Sequence, residues 1–119
     1  MFQQDTYETF NSNDAIMTLT EKVYQFVSEV PSGYVTTYGD IGLAVGSKSY
    51  RAIGQILHRN PEWPKVPCHR VVMKDGSLAP NYGAGGPSVH RERLEKEGIT
   101  FIGERVNLEK HKYEFSNKQ

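Results

Sequence analysis

The fold is decided by residues 37–60, which read TYGDIGLAVGSKSYRAIGQILHRN. Thr37 with Asp40 three residues later is typical of a helix start, because a threonine hydroxyl accepts a hydrogen bond from the first turn. Gly46 is well placed as the left-handed residue that ends this helix. Ser47 is the predicted cap of the next helix. Two short helices joined by a glycine-containing turn indicate a helix-turn-helix.

A further amphipathic helix precedes this stretch. Thr18 and Glu21 have the spacing of a capping box. The apolar residues that follow recur on one helical stripe, at Leu19, Val23, Phe26, Val27 and Val30. Residues 1–17 lack such periodicity and are predicted to form a flexible tail. Residues 18–119 are predicted to form one domain, which fits the length of 119 residues.

The C-terminal part adds a helix and short strands. A glycine-rich loop at residues 81–86 is followed by Pro87, which suits the first turn of a helix reaching Glu97. Short strands or a wing are predicted over residues 99–101 and 106–115. The fold class that follows is mainly α with minor β, a winged helix-turn-helix-like DNA-binding domain.

The composition bounds the function. The chain has 14 basic and 14 acidic residues, so it is not a polycation that coats nucleic acid through its total charge. Its single cysteine excludes an internal disulfide framework and a cysteine-rich zinc module. No apolar run approaches the roughly 18 residues of a membrane span. These features predict a cytoplasmic protein in a reducing compartment, with no membrane partner.

The neutral total hides a basic segment. Residues 47–74 carry six bases and one acid, a net charge of +5, whereas residues 1–30 carry one base and five acids. A solvated helix face is one explanation of this charge, and a surface that contacts phosphates is the other. On the second explanation, Lys48, Arg51 and Arg59 are the candidate DNA contacts of the third helix.

Residues 67–71, which read PCHRV, contain the candidate nucleophile. A thiol reacts as the thiolate, so Cys68 needs a neighbour that takes its proton. Adjacent side chains of an extended segment point to opposite faces, so we expect a water to bridge Cys68 and His69. A small buried hydrophobe and a structural histidine are the alternative explanations of these two residues.

This segment and its companions carry a family resemblance. The PCHRV motif, with Tyr38, Arg51, Asn60, Tyr82 and Glu97 at fitting distances, resembles the O6-alkylguanine-DNA alkyltransferases. The resemblance covers about residues 19–115 and implies the fold of the alkyltransferase C-terminal domain. Taken singly, each companion is also explained as an ordinary surface or packing residue.

The resemblance implies catalytic roles. Cys68 would take the alkyl group from O6 of guanine, His69 would deprotonate it through a water, and Glu97 would orient the histidine. Asn60 would tie the recognition helix to the active-site segment. The thioether product has no easy leaving group, so each molecule would act once, without a metal or organic cofactor.

The resemblance also implies how the base is reached and held. Arg51 would fill the gap in the base stack, and Tyr38 would crowd a phosphate and promote nucleotide rotation. Tyr82 would hydrogen-bond the flipped base, and the backbone carbonyls of Cys68 and Val71 would accept from its exocyclic amine. The partner implied is double-stranded DNA that contains O6-alkylguanine, bound by a monomer.

Two departures from the family pattern favour considering a second function. Gly83 stands where the family usually has a serine, which removes a hydroxyl near O6. The short chain also resembles the alkyltransferase-like proteins, which bind alkylated guanine without repairing it and recruit nucleotide excision repair proteins. Those proteins usually lack the cysteine that is present here. A plain helix-turn-helix regulator is the third interpretation, and it leaves Cys68 and His69 unexplained.

Overall fold

The computed structural model describes residues 17–80, 82 and 85–115. Nearly all of the predicted tail, and the predicted pocket residue Gly83, therefore lie outside the described residues. The helices of the described part are α1 (Leu19–Glu29), α2 (Tyr38–Val45), α3 (Tyr50–His58), α4 (Gly86–Lys96) and α5 (Leu108–His111), with a 3₁₀ helix at Cys68–Arg70. The strands are β1 (Thr36–Thr37), β2 (Val71–Val72), β3 (Phe101–Ile102) and β4 (Arg105–Val106).

Helix α1 begins with the predicted capping box. The Thr18 hydroxyl accepts from the Glu21 backbone N–H at 3.1 Å, and the Glu21 carboxylate accepts from the Thr18 N–H at 2.9 Å. Val23 and Val27 are fully buried on one face of the helix. They pack in an apolar core with residues of α2, α3 and β2. Burial of this stripe attaches α1 to the helix-turn-helix.

The two helices of the helix-turn-helix form as predicted. The Thr37 hydroxyl caps α2 by accepting from the Asp40 N–H at 3.1 Å, and Gly46 ends it with a positive φ of 76°. Gly42 allows the two helices to approach closely. A Cβ at that position would lie 2.7 Å from both a ring carbon of Tyr50 and the carbonyl oxygen of Ser47.

The predicted cap of α3 is wrong. The helix begins at Tyr50, and Ser49 occupies the cap position without a side-chain hydrogen bond. Ser47 is held in the preceding turn, because its N–H donates to the Gly42 carbonyl at 2.9 Å. Its hydroxyl accepts from the Ser49 N–H within the same turn. Lys48 therefore precedes the recognition helix and does not lie on it.

A short parallel sheet joins the helix-turn-helix to the cysteine segment. Thr36 of β1 is paired with Val71 of β2, and Thr37 with Val72. All four residues are buried. The sheet places the start of α2 beside the segment that contains Cys68, although these residues are some 30 positions apart in the chain. The two-residue strands gave no periodic signal in the sequence.

The C-terminal region forms the predicted helix and wing, with one correction. Pro87 lies in the first turn of α4, and strands β3 and β4 form an antiparallel hairpin. Residues 106–115 are not strand throughout, because Asn107 caps the four-residue helix α5. The described residues are thus mainly helical with two small sheets, as the sequence predicts. Among them, no helix is both long enough and apolar enough to cross a bilayer.

Candidate nucleic-acid interface and nucleophile pocket

A cavity of about 970 Å³ lies between the recognition helix α3 and the cysteine segment. It brings together six of the residues predicted from the sequence: Tyr38, Arg51, Arg59, Asn60, Cys68 and Tyr82. His69, Val71 and Glu97 lie behind this lining, and Lys48 lies outside it, on the exposed turn before α3. A thiol and the predicted recognition helix thus share one opening, which is the arrangement needed to act on an extruded base.

Cys68 and His69 lie on a 3₁₀ helix, so the extended segment expected from the sequence is wrong. The three-residue helix Cys68–Arg70 is closed by the Arg70 N–H, which donates to the Pro67 carbonyl at 2.9 Å. Cys68 is half-buried and lines the cavity, whereas His69 is only 3% exposed. The helical turn still separates the side chains of Cys68 and His69, as the predicted extended segment would also have done. Among the described residues, no hydrogen bond joins them.

His69, Glu97 and Arg70 form one hydrogen-bonded group. The Nε2 of His69 lies 2.9 Å from the Oε2 of Glu97. Arg70 donates to both carboxylate oxygens of Glu97, from Nε at 2.9 Å and from Nη2 at 2.7 Å. Its Nη1 also donates to the Val30 carbonyl at the end of α1. A bidentate arginine holds a carboxylate in a fixed orientation, so Glu97 is rigidly placed against His69.

The electrostatics of this group favour a neutral histidine beside a charged carboxylate. Burial lowers the pKa of His69, and it outweighs the hydrogen bond and negative charge of Glu97, which raise it. Burial alone would raise the pKa of Glu97, but the hydrogen bonds from Arg70 and His69 outweigh it and lower the pKa. A neutral imidazole has the protonation state that a general base requires.

Asn60 connects the end of α3 to the cysteine segment. Its side-chain amide donates to the Val66 carbonyl at 2.6 Å, and its Oδ1 accepts from the Glu62 N–H at 2.9 Å. Val66 lies two residues before Cys68. These bonds close the turn between α3 and the segment that contains Cys68. Asn60 therefore makes the kind of connection that the resemblance implies for it.

Two tyrosines line the cavity from opposite sides of the thiol. Burial is the main cause that raises the pKa of Tyr38 to about 12, and the nearby Cys68 adds to it. The Tyr82 ring stacks on the buried His90 ring, with centroids 4.3 Å apart. Burial also raises the pKa of Tyr82, although the hydrogen bond from Arg93 opposes it. Both phenols are thus neutral at physiological pH and can donate hydrogen bonds.

Trp63 and Arg93 are among the cavity residues that the sequence reasoning missed. The Arg93 guanidinium lies 3.9 Å from the centre of the Trp63 ring and donates to the Tyr82 hydroxyl at 2.6 Å. Arg93 precedes Glu97 by four residues, so the helical repeat places both on one face of α4. That spacing was available in the sequence. Trp63 gave no signal, because it lies in an irregular connector.

The cations beside the recognition helix are exposed and unpaired. Lys48, Arg51 and Arg59 are all exposed, and none forms a salt bridge with another described residue. No acid lies in the first turn of α3. Exposed cations without internal partners can neutralise phosphates at little cost, because no existing ion pair has to be broken.

The geometry defines a class of protein: a winged helix-turn-helix domain whose recognition helix shares a cavity with a cysteine and a histidine–carboxylate pair. The family model described as "6-O-methylguanine DNA methyltransferase, DNA binding domain" matches residues 18–99. The chain belongs to this family of O6-alkylguanine DNA repair and base-flipping proteins.

Curated relatives of different sizes and names match the chain. A "DNA base-flipping protein" of Escherichia coli is 35% identical over 99 residues, covering 80% of this chain and 74% of that protein. A methylated-DNA–protein-cysteine methyltransferase of Thermococcus kodakarensis is 38% identical over 74% of this chain, but the match spans only 49% of its length. A bifunctional methyltransferase/endonuclease of Picrophilus torridus is 38% identical over 76% of this chain and 30% of its own.

A comparison with a solved structure supports the same family membership. Atl1 of Schizosaccharomyces pombe, in complex with damaged DNA containing O6-carboxymethylguanine, has a TM-score of 0.68 and 34% identity to this chain. The match covers 82% of this chain and 95% of Atl1. Family membership is therefore supported by sequence and by fold. The relatives include both methyltransferases and an alkyltransferase-like protein, so membership by itself does not select between the two activities.

Proposed function

We propose that this chain binds O6-alkylguanine in double-stranded DNA, flips the damaged nucleotide into the cavity and transfers the alkyl group to Cys68 in a single turnover. The observation that carries the proposal is the position of Cys68. It lies half-buried in the same cavity as Arg51 of the recognition helix, and its neighbour in sequence is the base of a His69–Glu97 pair.

The proposed reaction moves one proton from Cys68 and one alkyl group to it. The Cys68 thiol gives its proton, through a water, to the Nδ1 of His69, because Nε2 faces the Glu97 carboxylate. The thiolate sulfur attacks the alkyl carbon in line with the bond to O6 of guanine. The new sulfur–carbon bond forms as the carbon–O6 bond breaks, and the electron pair stays on the base. The proton held by His69 then passes to the guanine through solvent, which leaves an unmodified base and a thioether.

The recognition steps use the remaining predicted residues. Arg51 fills the space left in the base stack, and Tyr38 acts at the phosphate next to the flipped nucleotide. Flipping costs a few kcal/mol, and the cost is lower for a damaged pair, which contributes selectivity. Tyr82 and the carbonyl of Val71 meet the flipped base. Lys48 and Arg59 contact the DNA backbone, where each cation releases counterions.

The decisive experiment is intact-mass measurement after incubation with an O6-methylguanine duplex. Transfer adds one methyl group, about 14 Da, and peptide mapping locates it on Cys68. The Cys68→Ser variant takes up no methyl group but keeps nearly the same affinity for the duplex. If the unmodified protein gains no mass under excess DNA, transfer is refuted. If Cys68→Ser also loses binding, the residue is structural.

A non-catalytic damage sensor is the second candidate function, and one observation favours it. The Nδ1 of His69, which has to accept the proton, already accepts a hydrogen bond from Trp63. As a sensor, the chain holds alkylguanine in the same cavity and recruits nucleotide excision repair proteins. Tight binding to alkylated duplex without any mass gain selects this function. On either reading we propose a monomeric, cytoplasmic protein in which residues 18–119 form the DNA-binding domain.

A further inference from the structure

The indole of Trp63 occupies the reactive side of His69. Its Nε1–H donates to the Nδ1 of His69 at 3.0 Å, and the two rings meet edge to face with centroids 5.9 Å apart. Trp63 is 40% exposed and lines the cavity that contains Cys68. The contact therefore joins the mouth of the cavity to the buried histidine.

This contact fixes the tautomer of His69. An indole nitrogen donates and cannot accept, so the Nδ1 that faces it must be the unprotonated nitrogen. The proton of the neutral ring then lies on Nε2, which donates to the Glu97 carboxylate at 2.9 Å. Protonation at Nδ1 would set two N–H donors against each other. The only lone pair of His69 that could take a proton is thus the one that Trp63 covers.

We propose that Trp63 is a positioning residue that holds the Nδ1 of His69 in the acceptor tautomer and blocks it from taking a proton until the indole moves away. The inference rests on the proposed function, because Nδ1 is the atom that receives the Cys68 proton. Trp63 therefore has two opposing effects. It selects the tautomer that a base needs, and it delays the use of that base in the free protein.

The surroundings of Trp63 allow the indole to leave. The Arg93 guanidinium lies 3.9 Å from the centre of the Trp63 ring, and Arg93 forms no salt bridge with a described residue. Trp63 takes no part in the two buried apolar clusters of the described residues. A base that enters the cavity meets Tyr82 and Arg93, which are linked to each other by a hydrogen bond. Rearrangement of that pair frees the indole without opening the core.

The charged and titratable groups around His69 belong to residues other than Trp63, so a change at Trp63 leaves their chemistry unaltered. Glu97 of α4 raises the histidine pKa, whereas Arg70 and Arg93 lower it. His90 of α4 donates from Nε2 to the His69 carbonyl and has a lowered pKa of about 4, mainly because it is buried. Replacing the indole by a phenyl ring removes the N–H donor while these groups remain, so a change in the His69 pKa reports on Trp63.

The test compares the unmodified protein with Trp63→Phe, which keeps an aromatic ring over Arg93 but cannot donate. ¹⁵N-detected NMR of the histidine rings gives the His69 tautomer and pKa, and Tyr34→Phe, an exposed ring outside the cavity, is the matched control. We expect the His69 pKa to rise by about half a unit to one unit in Trp63→Phe only. The rate of methyl transfer should rise roughly threefold to tenfold in the same variant.

The single tryptophan supplies a readout that needs no variant. In the unmodified protein its indole N–H resonance should shift with the protonation of His69, and it should shift again when an O6-methylguanine duplex is added. A His69 pKa that is the same in both proteins, or an indole resonance that ignores His69, overturns the inference. If neither protein ever methylates Cys68, the proposed transfer fails, and the His69 titration still decides whether Trp63 covers Nδ1.

Discussion

The two sides of the cavity are built in opposite ways. On the side of α4, Glu97 is shared between His69 and Arg70 through bonds of 2.7–2.9 Å, and all three side chains are largely buried. On the side of α3, Arg51 and Arg59 are exposed and form no salt bridge with a described residue.

This difference fits the roles proposed for the two sides. A proton-transfer group has to be held within tenths of an ångström before the substrate arrives, so its hydrogen bonds are made inside the protein. Cations that bind a polyanion are most effective when they are left unpaired, because pairing them would have to be undone on binding. The α4 side should therefore control stability and chemistry, and the α3 side should control affinity.

The largest expected effect is on the α4 side. Glu97→Gln removes the charge that Arg70 and His69 share and should lower the free energy of unfolding by about 3 kcal/mol, measured by urea denaturation. The matched control is Glu95→Gln on the same helix, whose pair with Arg91 is exposed. That variant should lose less than about 0.5 kcal/mol. Equal losses would mean that the buried group adds no stability.

The pH dependence of stability should come from the same side. Burial lowers the pKa of His90 to about 4, so between about pH 4 and 6.5 the unfolded chain binds a proton that the folded chain refuses. The free energy of unfolding should fall as the pH falls through this window, by about 3 kcal/mol, with a smaller contribution of the same sign from His69. His90→Gln should flatten the profile in urea titrations. If the His90→Gln variant has the same pH profile of stability as the unmodified protein, the pH dependence does not come from His90.

The smallest effect on stability and the clearest one on binding are expected on the α3 side. Arg51→Ala should reduce affinity for an alkylguanine duplex about tenfold, or 1.4 kcal/mol, and change the free energy of unfolding by less than about 0.5 kcal/mol. Lys48→Ala should weaken binding only slightly and reduce the salt dependence by about one phosphate contact. Fluorescence anisotropy over a salt series measures both. An equal loss on single-stranded DNA would contradict a role for Arg51 in flipping.

Local elements were predictable because their signals lie within a few residues. The Thr18 capping box, the Thr37 cap and the terminator Gly46 all act over one helical turn. The errors arose where a tertiary bond competed with a local one. Ser47 has the side chain of a cap, but its backbone is engaged by Gly42 of the preceding helix.

The candidate site shows the same contrast between local signals and tertiary contacts. Cys68, His69 and Glu97 were proposed as site residues from the family resemblance that PCHRV and its companion residues carry. Trp63 was not, because its contact with His69 depends on the path of an irregular connector. The orientation of the Arg70 fork onto Glu97 was equally hidden, since the two residues lie 27 positions apart.

By itself, the sequence determined the helices of the DNA-binding motif, the candidate nucleophile and the basic segment. These depend on side-chain chemistry and on hydrogen bonds within a few residues. Only the tertiary structure decided that Arg70 neutralises Glu97, that a parallel strand pair places Cys68 beside α2, and that an indole covers the His69 lone pair. The physical reason is that hydrogen-bond direction and burial depend on where distant segments meet, and spacing along the chain does not encode either.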